Sequence, residues 1–335
     1  MSGDRSYPPA PPELPYPVTD NHTHIEPSQH FPAAPLTLSE QISAARAVGV
    51  SRMVQCGCDL AAARWTAEVA VLDPAVVGAI AIHPNDAARL VGSGGPVNKT
   101  ASADAVLPPH LAGASRVDAA ASQVDASEAD ASDAPTSQAD ASRETKAGRY
   151  AEALAEIARL AKGSPRIRAI GETGLDYYRT GPAGRPAQRA AFRDHIALAK
   201  ELDLALQIHD RDAHEDVIKI LIEDGAPART VFHCFSGDWA MARIAREHGW
   251  YCSFAGTVTF KSGGELRKAV SELPPELILV ETDAPYLTPD PFRGRPNAPY
   301  MVPLTMNVLA QRMGLELERA CRQIQDNTNR VYGNW

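Results

Sequence analysis

The sequence contains few cysteines, no long apolar stretch and no excess of basic residues. Its 335 residues include five cysteines and no Cys-x-x-Cys pair, which argues against a disulfide framework and against a zinc knuckle. No stretch reaches the apolar length of a transmembrane helix, and the N-terminus lacks the apolar segment of a signal peptide. We therefore expect a soluble cytoplasmic protein with reduced thiols and no membrane partner.

The charge balance argues against a nucleic-acid binder with a generally basic surface. The formal net charge is −8, which is not the charge of a generally basic nucleic-acid binder. A polyanionic partner would have to be met by a local patch of basic residues or by metal ions. We infer no obligate protein partner. A content of 44% hydrophobic residues is ample for a buried core.

Short β-branched runs alternate with longer amphipathic segments along most of the chain. Eight runs have the character of strands, at 18–25, 52–58, 76–83, 167–172, 204–209, 230–233, 251–255 and 278–283. Helical patterns lie between them, among them 39–48 with Ser39 as a candidate N-cap, 150–162, 187–202, 215–223, 240–248 and 265–272. The alternation predicts an α/β fold, a TIM-like (β/α)₈ barrel. A doubly wound open sheet is the alternative, but its first strand is usually followed by a Gly-rich phosphate loop, and this chain has a histidine pair there.

Two segments depart from the alternation. Residues 1–17 form a proline-rich arm, which we expect to be loose, ahead of a barrel at 18–335. Residues 92–147 follow the third strand and are dominated by Ala, Ser and Asp, a composition too poor in apolar side chains to offset the entropy of ordering. Between 97 and 147 there are eight acidic and four basic residues, so this segment carries −4 of the net charge. We predict a disordered insertion.

The first strand carries the pattern Asp20-x-His22-x-His24. Alternate residues of an extended strand point to one face, so three potential metal ligands would lie on one side. Taken alone, a His-x-His pattern is more often a core histidine pair or a surface turn than a metal site.

Four further acidic or histidine residues lie at the ends of predicted strands, each followed by a turn signal. They are Glu172, His209, His233 and Asp283. Burying these four groups separately would be costly, whereas a shared metal centre accounts for them together. In a barrel, chemistry is located at the C-terminal ends of the strands, which is where these residues fall.

Several motifs recur in order along the chain outside the arm and the insertion. Besides Asp20-x-His22-x-His24 they are Ile82-His83-Pro84, Gly171-Glu172-Thr173-Gly174-Leu175-Asp176-Tyr177, His209-Asp210-Arg211, His233-Cys234-Phe235-Ser236-Gly237, Glu281-Thr282-Asp283-Ala284-Pro285-Tyr286-Leu287, Arg293-Gly294-Arg295-x-Asn297 and Asn329-Arg330-Val331-Tyr332-Gly333. With them the chain resembles the TatD family of metal-dependent hydrolases. The resemblance implies an amidohydrolase-type barrel and a metal-dependent deoxyribonuclease that hydrolyses DNA phosphodiesters, usually as a 3′-to-5′ exonuclease on single strands or frayed ends. It also implies an alternative, deacylation of D-aminoacyl-tRNA.

The resemblance implies a centre with two divalent metal ions. One ion would be held by His22, His24 and Asp283, the other by His209 and His233, and Glu172 would bridge them. Mixed histidine and carboxylate ligands suit Zn²⁺, Mn²⁺ or Mg²⁺. Asp283 is the candidate general base or water-orienting group, because a carboxylate on the first ion lies within reach of the attacking water.

Substrate contacts are expected around this centre. His83 is a candidate contact of the scissile phosphate, and Arg211, Arg293 and Arg295 are candidate phosphate ligands because guanidinium groups pair with phosphate oxygens bidentately. Three aromatic residues beside ligand motifs are candidates for stacking on a base: Tyr177, Tyr178 and Phe235.

Two residues depart from the family pattern, and two other functions remain open. Glu26 stands where the family commonly has Asp, and Asn85 stands where a second His often follows His-Pro, which removes a possible substrate contact. The alternatives are a metal-dependent esterase or amidase and an inactive metal-binding scaffold. A complete ligand set argues against the scaffold.

Overall fold

The structure is a computed structural model that covers residues 6–26, 35–91 and 136–335. For residues 136–147 it describes the backbone alone. Eight parallel strands form one sheet in sequential order from β1 to β8. Their bounds are β1 Val18–Thr23, β2 Val50–Gly57, β3 Val76–Ile80, β4 Ile167–Asp176, β5 Ala205–Arg211, β6 Thr230–Phe232, β7 Tyr251–Phe254 and β8 Ile278–Val280.

The helices alternate with the strands. They are α1 Leu38–Arg46, α2 Leu60–Leu72, α3 Pro84–Val91, α4 Thr136–Gly163, α5 Arg185–Glu201, α6 His214–Asp224, α7 Trp239–His248, α8 Gly264–Glu272, α9 Val302–Met313 and α10 Leu317–Tyr332. The segment after β8 returns to β1, where the amide of Asp283 donates to the carbonyl of His22 at 3.0 Å. The predicted (β/α)₈ barrel is confirmed. No helix within the described ranges is both long enough and apolar enough to cross a bilayer.

Successive side chains of each strand point to opposite faces of the sheet, and this alternation separates two buried layers. In β3, Val76 and Ile80 face the helices, whereas Val77 and Ala79 face the barrel interior. The interior layer consists mainly of small side chains, and Val331 and Tyr332 at the end of α10 pack against it. The barrel interior is therefore filled with side chains, and a polar functional site is expected at the C-terminal ends of the strands.

All eight predicted strands are present, with shifts at their ends. β4 continues past the predicted end at Glu172 to Asp176, because it stays paired with β5 through Gly174 and His209. The first helix is capped by Thr37 instead of Ser39, since Thr37 and Glu40 form a reciprocal capping box.

The proline-rich arm is not loose in its described part, residues 6–17. Leu14 is buried and its amide donates to the carbonyl of Val48 at 3.1 Å. The hydroxyl of Tyr300 donates to the carbonyl of Pro8 at 2.6 Å. Composition predicts a loose arm, but several apolar side chains and backbone hydrogen bonds hold it on the barrel.

The predicted insertion lies between α3 and α4. Residues 92–135 lie outside the described residues, whereas residues 136–147 belong to α4, which therefore begins earlier than the predicted start at residue 150.

Candidate metal centre

Six side chains converge at the C-terminal edge of the barrel. His22, Glu172 and His209 lie within strands β1, β4 and β5, whereas His24, His233 and Asp283 follow the ends of β1, β6 and β8. All six were predicted as ligands from the sequence.

Glu172 lies at the middle of the cluster, with its two carboxylate oxygens facing different neighbours. Oε2 is 2.6 Å from His233 Nε2 and 2.9 Å from His209 Nδ1. Oε1 is 3.9 Å from His24 Nε2 and accepts a hydrogen bond from Cys58 Sγ at 3.2 Å. Glu172 thus divides the cluster into two sides.

The side opposite His209 is formed by His22, His24 and Asp283. The two Nε2 atoms of His22 and His24 are 3.3 Å apart. Asp283 Oδ1 is 3.6 Å from His24 Nε2 and 3.9 Å from His22 Nε2. Imidazoles and a carboxylate therefore meet at distances typical of atoms that share one ion.

Hydrogen bonds on the outer nitrogens fix the orientation of three imidazoles. His22 Nδ1 donates to Gln207 Oε1 at 2.9 Å, and His24 Nδ1 donates to the carbonyl of Cys56 at 3.0 Å. His233 Nδ1 lies 3.4 Å from Glu281 Oε1. When Nδ1 of a neutral imidazole carries the proton, Nε2 presents its lone pair, so all three rings offer Nε2 to the cluster.

His209 is turned the other way. Its Nδ1 faces Glu172, and its Nε2 lies 3.3 Å from Asp176 Oδ2. The carboxylates raise the pKa of His209 to about 9 against the effect of burial, with Asp176 and Glu172 as the causes. His209 is thus placed to offer Nδ1.

The electrostatics of the cluster favour a bound cation. Burial opposes ionisation of Glu172, yet His233 and His209, which lie within hydrogen-bond distance of its carboxylate, hold the pKa of that carboxyl well below the usual range. Burial and the neighbouring His233 hold the pKa of His22 well below its ordinary value, so His22 is neutral. Buried carboxylates beside imidazoles form the donor set of a divalent metal site, where an ion takes the place of the protons.

The ligand atoms group into three sets within 4.8 Å of one another among the described residues. These sets are His22 with His24 and Glu172, His22 with His233 and Asp283, and His83 with Glu172 and His209. The residues present therefore fit a metal centre.

A family model described as TatD related DNase matches residues 19–333. The chain belongs to the TatD family. It is 35% identical over 320 residues to an uncharacterised metal-dependent hydrolase TatD of Mycobacterium tuberculosis, covering 94% of this chain and 98% of that protein. It is 40% identical over 168 residues to the uncharacterised metal-dependent hydrolase YabD of Bacillus subtilis, covering 50% of this chain and 66% of that one.

Solved structures agree on the fold of this TatD-family chain. The crystal structure of YJJV, a TatD homologue of Escherichia coli, matches with a TM-score of 0.71 at 19% identity, covering 95% of this chain and 98% of that one. A TatD family hydrolase of Entamoeba histolytica matches with a TM-score of 0.68 at 16% identity, covering 96% and 99%.

Asp20 is not part of the cluster, contrary to the expectation from the alternating pattern. Its Oδ1 accepts from the amide of Thr282 at 2.9 Å, and its Oδ2 accepts from the Thr282 hydroxyl at 2.5 Å. Burial raises the pKa of Asp20 to about 8. In this TatD-family barrel Asp20 ties β1 to the residue that precedes Asp283.

His83 lies at the edge of the cluster, with its ring centroid 4.6 Å from that of His209. The amide of Asn85 donates to His83 Nδ1 at 3.1 Å, and burial lowers the pKa of His83 to about 3. The neutral ring therefore carries its proton on Nε2, which makes it a hydrogen-bond donor toward the site.

Two of the predicted phosphate contacts lie near aromatic rings. The guanidinium of Arg211 lies 4.1 Å from the ring centroid of Tyr178, which is 43% exposed. The exposed Arg293 lies 4.6 Å from the ring centroid of Phe260. Both arrangements combine positive charge with an aromatic face.

Arg295 and Tyr177 have other partners. Arg295 donates to the carbonyls of Ser6 and Tyr7 at 2.9 and 2.7 Å, so it fastens the N-terminal arm. The hydroxyl of Tyr177 donates to Asp216 Oδ2 at 2.5 Å, and Arg185 covers its ring at 4.3 Å. These contacts account for the two side chains without a substrate.

Phe235 and Asn85 are buried, which corrects the expectation that Phe235 stacks on a base. Phe235 is 2% exposed and packs against Phe232 and Phe254 in the core, so it cannot stack on a base. Asn85 donates to Asp176 Oδ2 at 2.9 Å and is 4% exposed, so this position links buried polar groups.

Sequence reasoning missed the residues that orient the ligands. Gln207 and Glu281 lie in the strands or motifs that carry ligands, but their partners depend on the barrel geometry. Cys58 could have been found, because it follows the end of β2 just as His233 and Asp283 follow the ends of β6 and β8.

Proposed function

We propose that this protein is a metal-dependent deoxyribonuclease that hydrolyses DNA phosphodiester bonds with two divalent ions, acting as a 3′-to-5′ exonuclease on single strands or frayed ends. The observation that carries the proposal is the position of Glu172, whose two oxygens face different sets of histidines. The match to the TatD related DNase family supports DNA as the substrate class.

The proposal assigns His22, His24 and Asp283 to one ion, His209 and His233 to the other, and Glu172 to both. Divalent ions held there would stabilise the negative charge that develops on the phosphate and lower the pKa of water. The residues themselves set the position of the reacting groups, because the outer nitrogens of His22 and His24 are held by fixed acceptors.

Asp283 is the proposed general base. Its backbone has a φ of 53°, a conformation that Asp tolerates better than most residues. The carbonyl of His22 and the amide of Tyr286 hold this backbone at both ends. The side chain is 14% exposed, so a carboxylate oxygen can take the proton of an attacking water.

His83, Arg211 and Arg293 are the proposed phosphate contacts. The Nε2 proton of His83 would be donated to an oxygen of the scissile phosphate. Arg211 and Arg293 would bind neighbouring phosphates, with Tyr178 available to a base. Arg295 is not carried into this proposal because it holds the arm.

A substrate comparison tests the proposal. Metal-reconstituted protein is incubated with single-stranded DNA labelled at the 3′ or the 5′ end, and in parallel with a D-aminoacyl-tRNA. We expect metal-dependent release of mononucleotides from the 3′ end. Ester cleavage without nucleotide release would instead favour the deacylase.

A further inference from the structure

Cys58 lies at the same edge of the barrel as the candidate ligands. β2 ends at Gly57, and Cys58 is the first residue beyond it. The amide of His83 donates to the carbonyl of Cys58 at 2.9 Å, which fixes this backbone against the next strand end. β2 thereby brings a sulfur to an edge where its neighbours bring nitrogen and oxygen ligands.

The sulfur contacts the cluster directly. Cys58 Sγ is 3.2 Å from Glu172 Oε1, the oxygen that also faces His24 Nε2 at 3.9 Å. Zinc bonds of about 2.3 Å to sulfur and about 2.1 Å to nitrogen or oxygen place two ligand atoms of a tetrahedral site about 3.4–3.6 Å apart. The sulfur–oxygen distance of 3.2 Å and the oxygen–nitrogen distance of 3.9 Å lie on either side of that range.

The other cysteines near the centre are placed differently. Cys56 Sγ is 4.0 Å from Cys58 Sγ and is packed in the barrel interior beside Val54 and Val77. Cys56 contacts the centre through its backbone carbonyl, which accepts the hydrogen bond from His24 Nδ1. Cys234 follows His233, and its amide donates to Glu281 Oε1 at 2.7 Å. Cys56 and Cys234 therefore offer matched controls.

We propose that Cys58 is a sulfur ligand of the ion held by His24 and Glu172, and that it shifts the preference of this centre from Mg²⁺ toward Zn²⁺. The inference rests on the proposed metal centre. On binding, a metal–sulfur bond forms, the thiol gives its proton to solvent, and Glu172 loses the thiol hydrogen bond. A thiolate is a soft ligand that favours zinc and disfavours magnesium.

Absorption spectroscopy of the Co²⁺-loaded full chain tests this inference. Cobalt follows the ligand preferences of zinc closely, its visible bands report any bound ion, and a near-ultraviolet charge-transfer band reports a sulfur ligand. We expect the near-ultraviolet band in the parent, in Cys56→Ser and in Cys234→Ser. In Cys58→Ser this band is lost while the visible bands remain.

The outcomes separate this inference from the metal centre itself. Visible bands without the near-ultraviolet band in the parent would show that the centre binds metal and that Cys58 is not a ligand. Loss of the band in Cys56→Ser or Cys234→Ser, with retention in Cys58→Ser, would assign the sulfur elsewhere and overturn the inference. Absence of all bands in the parent would refute the proposed centre and this inference with it.

Two further readouts cover a Cys58→Ser variant that fails to hold cobalt. A charge-transfer band that survives in both control variants still identifies Cys58, because the two remaining cysteines, Cys252 in β7 and Cys321 in α10, pack in the hydrophobic core and not in the cluster. In competition titrations, Cys58→Ala should weaken Zn²⁺ binding by on the order of tenfold or more and Mg²⁺ binding by less. Equal changes for both ions would contradict the proposed selectivity.

Discussion

At the scale of single residues, the candidate metal centre depends on the buried carboxylate of Glu172. Its neighbours are candidate metal ligands and the side chains that orient them. Glu172 has a histidine on each side, and the rings beside it are held by Gln207, by Glu281 and by a backbone carbonyl. Loss of one ligand therefore removes charge and also releases its neighbours. The roles of Glu172 and Asp283 differ accordingly.

Glu172→Gln should reduce the content of both ions and abolish DNA cleavage, because one side chain serves both sides of the cluster. Asp283→Asn should retain at least one ion and lower turnover by a factor on the order of 10² or more, as expected for a lost general base. Metal analysis of dialysed protein and nuclease rates at matched metal content measure both effects. The exposed Glu68→Gln on α2 is the control, and full activity in either site variant would refute the roles.

His195 should make stability depend on pH. Its Nδ1 bonds to the carbonyl of Ala191 at 2.7 Å, and its Nε2 accepts from the amide of Ile82 at 3.2 Å. Burial lowers the pKa of His195 below its ordinary value of 6.5. As the pH falls, His195 therefore takes up a proton in the unfolded chain before it does so in the folded chain. The contribution of neutral His195 to the free energy of unfolding is present above pH 6.5 and is lost as the pH falls.

This contribution is measured by thermal denaturation of the metal-free parent and of the His195→Gln variant between about pH 7.5 and pH 5. The two pH values lie about one unit or more on either side of the pKa of a free histidine. We expect the parent to lose more stability than the variant on acidification. Parallel profiles would show that His195 does not control the acid sensitivity.

At the scale of elements, the extension of β4 positions His209 by a close backbone contact. Gly174 has a φ of +135°, and a Cβ at this position would lie 2.1 Å from the carbonyl oxygen of His209. Gly174 and His209 are paired across β4 and β5. Only glycine allows the two strands to approach at this point.

Gly174→Ala should cost more than about 1 kcal/mol of unfolding free energy, because the backbone conformation and the clash both oppose it. It should also weaken metal binding by displacing His209. Denaturant unfolding and metal titration measure the two effects. Gly264→Ala at the start of α8, where a Cβ would meet nothing within 4 Å, should change neither, and a stable, metal-replete Gly174→Ala would contradict this account.

The strands and the meeting of the six candidate ligands could be predicted because their signals are local. Apolar runs followed by turn residues mark the ends of strands, and in a barrel these ends meet. The continuation of β4 was not predictable, since Gly171, Thr173 and Gly174 read as a turn. Pairings between distant segments, such as Asp20 with Thr282 or Arg295 with Ser6, leave no local pattern.

At the scale of the whole molecule, charge is distributed unevenly along the sequence. Residues 92–135 contain six acidic and two basic residues, so they carry −4 of the net charge of −8. They connect α3 to α4, and α4 runs antiparallel to the strands, so its first residues lie toward the end of the barrel that carries the cluster. A negative segment tethered on that side shares the sign of DNA.

Replacing residues 92–135 by a Gly-Ser linker should leave the melting temperature nearly unchanged, since loop length affects closure entropy weakly. It should raise DNA cleavage at low salt, where the Debye length is about 30 Å at 0.01 M, and hardly at all at 0.15 M, where it is about 8 Å. Cleavage rates across a salt series measure this. A large loss of stability, or unchanged kinetics at every salt concentration, would contradict the prediction.

The central claim is that a single cluster holds two ions and cleaves DNA. Its most direct measurement is a titration of metal-stripped protein with Zn²⁺ or Mn²⁺, following nucleotide release from 3′-labelled single-stranded DNA while bound metal is counted. The account predicts no cleavage without metal and a rise in activity that saturates at two ions per chain. Saturation at one ion, or cleavage by the stripped protein, would contradict it.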